Sequence, residues 1–256
     1  MPVKEIITYN VNGIRAALKK GFAEWLQETN PDVICLQETK AHKSQVPVAV
    51  FEMLGYHHTW FSAEKKGYSG VSTFSKIKPT KVIEGCGVDK YDIEGRILRT
   101  DFGDLTIINT YFPSGSSGDT RQAYKYDFLN DYFSFIQQLK KERPNLIVVG
   151  DYNICHTEMD IHNPKQNANT SGFLPQERAW MTNYFNLGMI DTFRHFNTDP
   201  HHYSWWSYRA NARNNNKGWR IDYIAASEAL QDRLAGAYIM PEAKHSDHCP
   251  VYLKLS

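Results

Sequence analysis

The sequence predicts an α/β protein in which two packed, mixed β-sheets are flanked by helices. Short apolar runs of strand length alternate with longer stretches in which apolar residues recur at helical spacing. The strand-like runs in the middle of the chain follow one another with only Gly and Asp turns between them, which is typical of antiparallel pairing. Helical stretches lie before and after this region, so the pattern favours two covered sheets over a simple alternation of strand and helix.

The first half of the chain supplies most of the predicted strands. Residues 4–9 predict a strand that ends in an Asn-Val-Asn-Gly turn, and residues 14–28 predict one helix. Residues 32–36 have the apolar character of a buried strand. Further strands are predicted at residues 69–74, 96–102 and 105–111.

The second half begins with the longest predicted helix, residues 120–141, which ends before Pro144. A core strand at 145–149 and a helix at 176–185 follow, and strands at 221–225 and 251–255 complete the set. Because no linker interrupts the pattern, we expect a single domain over residues 1–256. The longest irregular stretches are 115–120, 163–175 and 207–218, and long loops within a compact domain tend to carry function.

The composition is that of an ordinary globular protein, with 41% hydrophobic and 22% charged residues. The formal net charge is only +1, so any nucleic-acid-binding surface must be local. The cysteines, Cys35, Cys86, Cys155 and Cys249, form no CxxC pair and no zinc spacing, which fits a reducing compartment. No apolar stretch is long enough to span a bilayer and the N-terminus lacks a signal-like run, so we expect a cytoplasmic protein.

Polar residues recur where the apolar runs stop. A lone Asp or Asn at such a place is more often a turn residue or a cap. As a set they indicate a site, because strand ends of one sheet meet at one rim and can share a pocket. The residues concerned are Asn10, Asn12, Glu38, Tyr111, Asp151, Asn153, Asp222, Asp247 and His248.

The side-chain types in this set suit the hydrolysis of a phosphate diester. Carboxylates are oxygen ligands that bind Mg²⁺ or Mn²⁺ rather than zinc. A histidine paired with a carboxylate can present its other nitrogen to a phosphate oxygen. Metal, oriented water and a hydrogen-bond donor are what such hydrolysis requires. The motifs of other enzyme classes, namely the P-loop, GxGxxG, HExxH and GxSxG, are absent from the sequence.

Ten short motifs occur in order along the chain: YNVNGIRA (9–16), LQETK (36–40), GYSGV (67–71), TYFPSG (110–115), GDYNI (150–154), DIHNPK (160–165), GFLPQER (172–178), DTFRH (191–195), GWRIDY (218–223) and SDHCPV (246–251). This ordered set resembles the exonuclease III / AP endonuclease family and covers essentially the whole chain. DNase I-like nucleases, inositol-polyphosphate phosphatases and sphingomyelinases share some of these elements. GFLPQER, HNPK and GWRIDY resemble the DNA-repair branch.

The resemblance implies a four-layer α/β sandwich of the DNase I-like type. It implies a Mg²⁺-dependent repair nuclease, with Mn²⁺ as a substitute, that cuts DNA 5′ to abasic sites. It also implies 3′→5′ exonuclease and 3′-phosphodiesterase activity. The expected partner is double-stranded DNA with abasic sites or 3′ ends. We expect the protein to be a monomer and to have no membrane partner.

The same resemblance implies a metal site. Glu38 corresponds to the principal metal carboxylate. Asn10 and Asp247 correspond to residues beside the metal or its waters, and Asn12 takes a position that is aspartate in some relatives. Whether one or two metal ions act is left open.

It also implies catalytic roles. Asp151 corresponds to the group that orients or deprotonates the attacking water, and Asn153 to a residue that positions it. His248 corresponds to a phosphate contact oriented by Asp222, and Tyr111 to a contact of the phosphate or transition state. The identity of the general base stays open.

By the same resemblance, Trp205, Trp206 and Trp219 wall a pocket for a base-less sugar. An aromatic wall excludes an intact stacked base and accepts a flipped abasic nucleotide. If residues 205 and 206 are extended, one of the two tryptophans points inward and the other outward. The candidate phosphate contacts are Arg121, Asn163, Lys165, Asn167, Arg209 and Arg213.

The sequence departs from the family pattern at two positions whose side chains insert into the DNA duplex in some relatives. Ser117 stands where some relatives carry an arginine, and Arg209 stands where some carry a methionine. The balance of exonuclease and AP endonuclease activity therefore stays open.

The alternative functions are a phosphoesterase acting on inositol phosphates or sphingomyelin, and a DNA-binding module without catalysis. The intact set of carboxylate, amide and imidazole groups argues against the second of these.

Overall fold

The structure is a computed structural model that describes residues 2–256, and its centre is formed by two six-stranded sheets. The strands are β1 (Glu5–Asn10), β2 (Val33–Gln37), β3 (His57–Phe61), β4 (Val71–Ser75), β5 (Lys81–Glu84), β6 (Ile97–Phe102), β7 (Leu105–Tyr111), β8 (Leu146–Asp151), β9 (Met189–Asp191), β10 (Asp222–Ser227), β11 (Leu234–Ile239) and β12 (Val251–Leu255). The helices are α1 (Ile14–Leu18), α2 (Phe22–Thr29), α3 (Ala49–Met53), α4 (Asp89–Asp92), α5 (Asp119–Glu142), α6 (Pro164–Asn167), α7 (Pro175–Asn186) and α8 (Thr192–Phe196).

Both sheets are mixed, as the sequence predicts. The order in the first sheet is β11-β12-β1-β2-β4-β3, and β1 runs parallel to β2 but antiparallel to β12. The order in the second sheet is β5-β6-β7-β8-β10-β9, and β7 runs parallel to β8 but antiparallel to β6.

The two sheets pack face to face around one shared core. Ile6 and Val33 of the first sheet belong to the same buried cluster as Ile107, Val149 and Ile224 of the second. Helices α1 to α3 cover the outer face of the first sheet, and α5 and α7 cover that of the second. The predicted four-layer sandwich is therefore confirmed. Among residues 2–256, no helix is both long and apolar enough to cross a membrane.

Two details of the predicted fold are wrong. The single helix expected at residues 14–28 is interrupted, and Gly21 has a φ of +87°, a left-handed conformation that glycine adopts without steric cost. In addition, β3, β5, β9 and β11 were not predicted. These four are the edge strands of the two sheets. β3 and β5 mix polar with apolar side chains, β9 has only three residues, and β11 contains Gly236, which weakens a strand pattern.

The strand register brings the polar strand ends to one rim. In the second sheet Tyr111 pairs with Asp151, and Asp151 pairs in turn with Asp222. In the first sheet Asn10 pairs with Gln37, directly before Glu38. Because the sheets pack face to face, the ends of β1 and β2 meet those of β7 and β8.

Candidate active site

A cleft of about 340 Å³ opens at the rim where the strand ends of both sheets meet. Its lining combines carboxylates, hydroxyls and aromatic rings. The lining residues are Glu38, Tyr111, Ser114, Ser116, Asp151, Asn153, Thr170, Ser171, Gly172, Trp205, Trp219, Ile221, Asp247 and His248.

Asn10 joins the two sheets beneath this cleft. It is fully buried at the end of β1. Its amide nitrogen donates to Oε1 of Glu38 and to Oδ2 of Asp151, both at 2.9 Å. Its amide oxygen accepts the main-chain N–H of Asn12 at 3.0 Å. One side chain thus fixes a carboxylate from each sheet.

Lys40 belongs to the site but was not selected from the sequence. Its Nζ lies 2.7 Å from Oε2 of Glu38 and 2.5 Å from Oδ1 of Asn12. Burial alone would raise the pKa of Glu38, but the nearby Lys40 charge and the Asn10 amide outweigh it and lower that pKa. Glu38 and Lys40 both have a φ of +50°. This left-handed turn aims both side chains into the site, and apolar spacing gives no sign of it. The one available signal is the LQETK motif, which contains both residues.

Asp247 receives hydrogen bonds from both sides of the cleft. Oδ1 accepts the amide of Asn12 at 2.9 Å, and Oδ2 accepts the indole N–H of Trp205 at 3.0 Å. Burial would raise the pKa of Asp247, but the positive charge of His248 and these hydrogen bonds lower it. The group is therefore a carboxylate at neutral pH.

His248 and Asp222 form a buried pair. Nδ1 of the imidazole lies 2.9 Å from Oδ2 of Asp222, and Nε2 lies 3.9 Å from Oδ2 of Asp151. Burial would lower the pKa of His248, but the charge and hydrogen bond of Asp222 raise it to about 10. Both ring nitrogens then carry protons at neutral pH. Oδ1 of Asp222 is buried without a hydrogen-bond partner among residues 2–256.

Asp151 lies close to both Glu38 and His248 in the cleft. It is buried at the end of β8, and burial together with the charges of Asp222 and Glu38 raises its pKa. The main-chain N–H of Asn153 donates to its Oδ1 at 2.8 Å, and the side-chain amide of Asn153 lies 3.3 Å from Oδ2. The turn that allows these contacts places Asn153 at a φ of +52°.

The acidic cluster could hold a metal ion. Ligand atoms of Glu38, Asp151 and His248 all lie within 4.8 Å of one another. The imidazole is protonated and bonded to Asp222, so a ligand set would consist of oxygens from carboxylates and amides, which suits hard divalent cations. Burial raises the pKa of Asp151 most, and the charges of Asp222 and Glu38 raise it further; a bound cation relieves the repulsion between these carboxylates.

Tyr111 lies at the end of β7, beside the carboxylates. Burial and the charges of Glu38 and Asp151 raise its pKa, so its hydroxyl keeps its proton. The guanidinium of Arg96 lies 4.8 Å from the centre of its ring and donates to its carbonyl oxygen at 2.8 Å. Arg121 is in the same neighbourhood, but its nitrogens are paired with Glu94 at 2.8 Å and with the Tyr68 hydroxyl at 2.7 Å.

Trp205 and Trp219 form an aromatic wall of the cleft. Their ring centroids are 6.0 Å apart in an edge-to-face arrangement, and an antiparallel bridge joins their main chains. Trp206 points the other way and is buried with Tyr203 and Cys249. The expectation that one of the adjacent tryptophans points inward and the other outward is confirmed. Trp206 does not line the cleft.

The remaining predicted DNA contacts fall into two groups. Arg213 donates to the carbonyls of Ser246, Pro241 and Ala243 at 2.6 to 2.9 Å, so its guanidinium is held by the protein. Asn163, Lys165 and Arg209 are exposed, whereas Asn167 is half-buried and donates to the carbonyl of His162 at 3.0 Å. The cleft walls also contain Ser114, Ser116, Thr170, Ser171, Gly172 and Ile221, which were not selected from the sequence.

The two packed mixed sheets and the acidic cleft at their rim are typical of metal-dependent phosphoesterases, and comparison with known proteins identifies the family. The Endonuclease/Exonuclease/phosphatase family matches residues 7–248, and the chain belongs to this family. An exodeoxyribonuclease of Bacillus subtilis is 43% identical over 97% of this chain and 98% of that protein. The DNA repair nuclease APEX1 of Danio rerio is 37% identical over 98% of this chain and 82% of that protein.

Solved structures agree with this assignment. An AP endonuclease from Archaeoglobus fulgidus superposes with a TM-score of 0.91 at 30% identity and covers 99% of both chains. A 3′-5′ exonuclease from Neisseria meningitidis gives a TM-score of 0.92 at 27% identity over 98% of this chain and 99% of that one.

Proposed function

We propose that this chain is a DNA repair nuclease that hydrolyses phosphodiester bonds with the help of Mg²⁺. It incises DNA 5′ to abasic sites and has 3′→5′ exonuclease and 3′-phosphodiesterase activity. The observation that carries the proposal is the single cleft in which carboxylates, amides and a protonated imidazole from two sheets converge beside an aromatic wall. The names of the relatives support DNA as the substrate. They include a DNA-(apurinic or apyrimidinic site) endonuclease of Dictyostelium discoideum, 36% identical over 96% of this chain and 69% of that protein.

Glu38 and Asp247 would hold the metal ion, with the Asn10 and Asn12 amides beside it. The oxygen donors favour Mg²⁺, and Mn²⁺ can substitute. When bound, such an ion polarises a phosphoryl oxygen and stabilises the charge that develops in the transition state. Lys40 supplies a fixed positive charge against Glu38 in the structure.

Asp151 and Asn153 act on the attacking water. The raised pKa of the Asp151 carboxylate makes it a suitable proton acceptor near neutral pH. His248 donates from Nε2 to a phosphate oxygen while Asp222 fixes the ring through Nδ1. Tyr111 contributes a hydroxyl donor at the same phosphate.

Trp205 and Trp219 accept the sugar of a flipped abasic nucleotide and exclude one that carries a base. Asn163, Lys165 and Arg209 are exposed and suited to phosphate contact. Asn167 supports this surface through its bond to His162. The side chains of Arg121, Trp206 and Arg213 already bind within the protein, so we assign them to supporting the cleft.

The test uses a labelled duplex with one abasic-site analogue, an intact duplex, a recessed 3′ end and an inositol polyphosphate, each with Mg²⁺ and with EDTA. Metal-dependent cutting 5′ to the abasic site, leaving a 3′-hydroxyl, supports the proposal. Release of phosphate from the inositol compound with inert DNA would favour the small-molecule phosphoesterase. Tight binding of abasic DNA without any cutting would favour a non-catalytic module. A monomeric state and a cytoplasmic location stay predictions; the free thiols of all four cysteines are consistent with the second.

A further inference from the structure

Behind the cleft, Lys125 of α5 and Glu177 of α7 form an ion pair that is completely buried. Lys125 Nζ lies 2.5 Å from Glu177 Oε1, and both side chains are 0% exposed. Neither residue lines the cleft. Removing two charges from water is costly, and such a pair often adds little stability compared with apolar residues of similar size. The role of the pair is therefore sought in the bonds that both side chains make with the main chain.

The lysine binds the main chain of a residue in the cleft. Lys125 Nζ donates to the carbonyl oxygen of Asn153 at 2.9 Å. Asn153 has a φ of +52°, a conformation that non-glycine residues seldom adopt. Its side-chain amide donates to the Phe112 carbonyl at 3.0 Å and its main-chain N–H to Asp151. The buried ammonium thus holds the turn that aims Asn153 at Asp151.

The glutamate binds the main chain of the opposite segment. Glu177 Oε2 accepts the N–H of Gly172 at 2.6 Å and that of Leu174 at 3.0 Å. Gly172 has a φ of +95°, and a Cβ added there would lie 2.9 Å from the Trp219 ring and 3.1 Å from the Asn153 carbonyl oxygen. Glu177 therefore holds the segment against which the aromatic wall packs.

We propose that Lys125 and Glu177 are a positioning pair for incision at an abasic site. The pair sets the distance between Asn153 and Gly172, the residue that packs against Trp219 of the aromatic wall. The inference rests on the proposed function, because Asn153 and Trp219 are assigned to that reaction. The pair binds two neighbouring segments of the cleft wall through three main-chain groups, namely the Asn153 carbonyl and the N–H groups of Gly172 and Leu174. Apolar side chains of equal volume fill the same space but cannot make these bonds.

The experiment replaces both charges at once, so that neither is left unpaired in the interior. Lys125→Met/Glu177→Met, in which neither side chain can bind the Asn153 carbonyl or the N–H groups of Gly172 and Leu174, is compared with the wild type in incision of an abasic duplex, with kcat and KM determined separately. We expect kcat to fall about 100-fold with KM changed less than threefold, because a displacement of about 1 Å in a site costs roughly that much. The matched control is Arg99→Met/Asp101→Asn, which removes another largely buried pair, at 2.8 Å, near the end of β6 remote from Tyr111. We expect it to keep the wild-type kcat.

Amide hydrogen exchange separates positioning from general loss of structure. In the wild type, the N–H groups of Gly172 and Leu174 should exchange as slowly as those of β8, and in the double variant at least tenfold faster while β8 is unchanged. Fast exchange of both in the wild type overturns the proposal, even where the variant does not fold. A folded double variant with kcat within twofold of the wild type overturns it as well. A wild type that cuts no DNA refutes the proposed function instead. The exchange data then still test whether Glu177 holds the N–H groups of Gly172 and Leu174.

Discussion

Among the single residues, Asn10 links the two carboxylates at the base of the cleft. Its amide nitrogen donates to Glu38, which follows β2 of the first sheet, and to Asp151 at the end of β8 in the second sheet, so it ties the two strand ends together. The polar strand ends could be selected from the sequence because apolar runs stop there. Lys40 could not be selected in that way, because its position depends on two left-handed residues. The opposite orientations of Trp205 and Trp206 followed from extended backbone, but the sequence alone did not say which ring faces the cleft.

Glu38→Gln should weaken metal binding. The substitution keeps the size of the side chain but removes the charge. Loss of a residue that only supports a metal ligand typically costs about 10- to 100-fold in affinity, so we expect a loss of at least that size for the proposed ligand itself. Titration of Mn²⁺ by calorimetry measures the change. Asp232→Asn is the control, because Asp232 is an exposed acid outside the cleft. Equal affinity of Glu38→Gln and the wild type would contradict the assignment of Glu38.

At the scale of elements, the eight inner strands could be predicted and the four edge strands could not. Inner strands are covered on both faces and give continuous apolar runs, such as Leu146–Asp151. Edge strands such as His57–Phe61 and Lys81–Glu84 carry exposed side chains and have no such run. The long helices α5 and α7 were recognised from apolar spacing, whereas the short helices α3, α4, α6 and α8 were not predicted. The break at Gly21 depends on backbone conformation, which spacing does not report.

Gly150→Ala should destabilise β8 at the strand end that carries Asp151. Gly150 has a φ of +146°, and an added Cβ would lie 1.8 Å from the Thr110 carbonyl oxygen. Overpacking typically costs about 1 to 3 kcal/mol in the free energy of unfolding, and we expect the upper part of this range because the added Cβ meets fixed backbone. Urea denaturation measures the loss. Gly236→Ala is the matched control, because no atom lies within 4 Å of its added Cβ, and we expect it to be neutral. Wild-type stability of Gly150→Ala would contradict the packing of β7 on β8.

At the scale of the whole molecule, one core lies between both sheets and one cleft lies at their common rim. We therefore propose that residues 1–256 form a single domain, which should unfold in one cooperative step. Circular dichroism and tryptophan fluorescence should give coincident urea transitions. Two separated transitions would contradict this division of the chain.

The free energy of unfolding should also depend on pH, because the pKa of Glu94 differs between the folded and unfolded states. Burial would raise this pKa, but the hydrogen bonds and charges of Arg121 and Arg96 outweigh burial and lower the pKa from 4.5 to about 2. The unfolded state therefore binds more protons between these values. The stabilisation is complete above about pH 4.5 and is lost as the pH falls toward 2. After allowance for partial exposure, it is worth about 2 kcal/mol.

The measurement is the free energy of unfolding of the wild type and of Glu94→Gln as a function of pH. We expect the difference between them to be constant from pH 5 to 7 and to shrink below about pH 4.5, since only the wild type can gain this proton. Glu64→Gln, at an exposed carboxylate, is the control for the loss of one acidic side chain. A difference that stays constant down to pH 3 would contradict the ion-pair account.

The carboxylates of the two sheets should form the centre of a DNA-cutting site, and single-turnover incision by a variant of one of them tests this. Wild type and Asp151→Asn are mixed in excess with a labelled abasic duplex in Mg²⁺, and single-turnover incision is followed while binding is measured by fluorescence anisotropy. We predict rapid cutting 5′ to the abasic site by the wild type. The variant should be slower by about 10²- to 10⁴-fold with affinity changed only a few-fold, since the substitution removes the proposed proton acceptor but preserves the size of the side chain. Incision by Asp151→Asn at the wild-type rate would contradict the account, because the catalytic centre would then lie elsewhere.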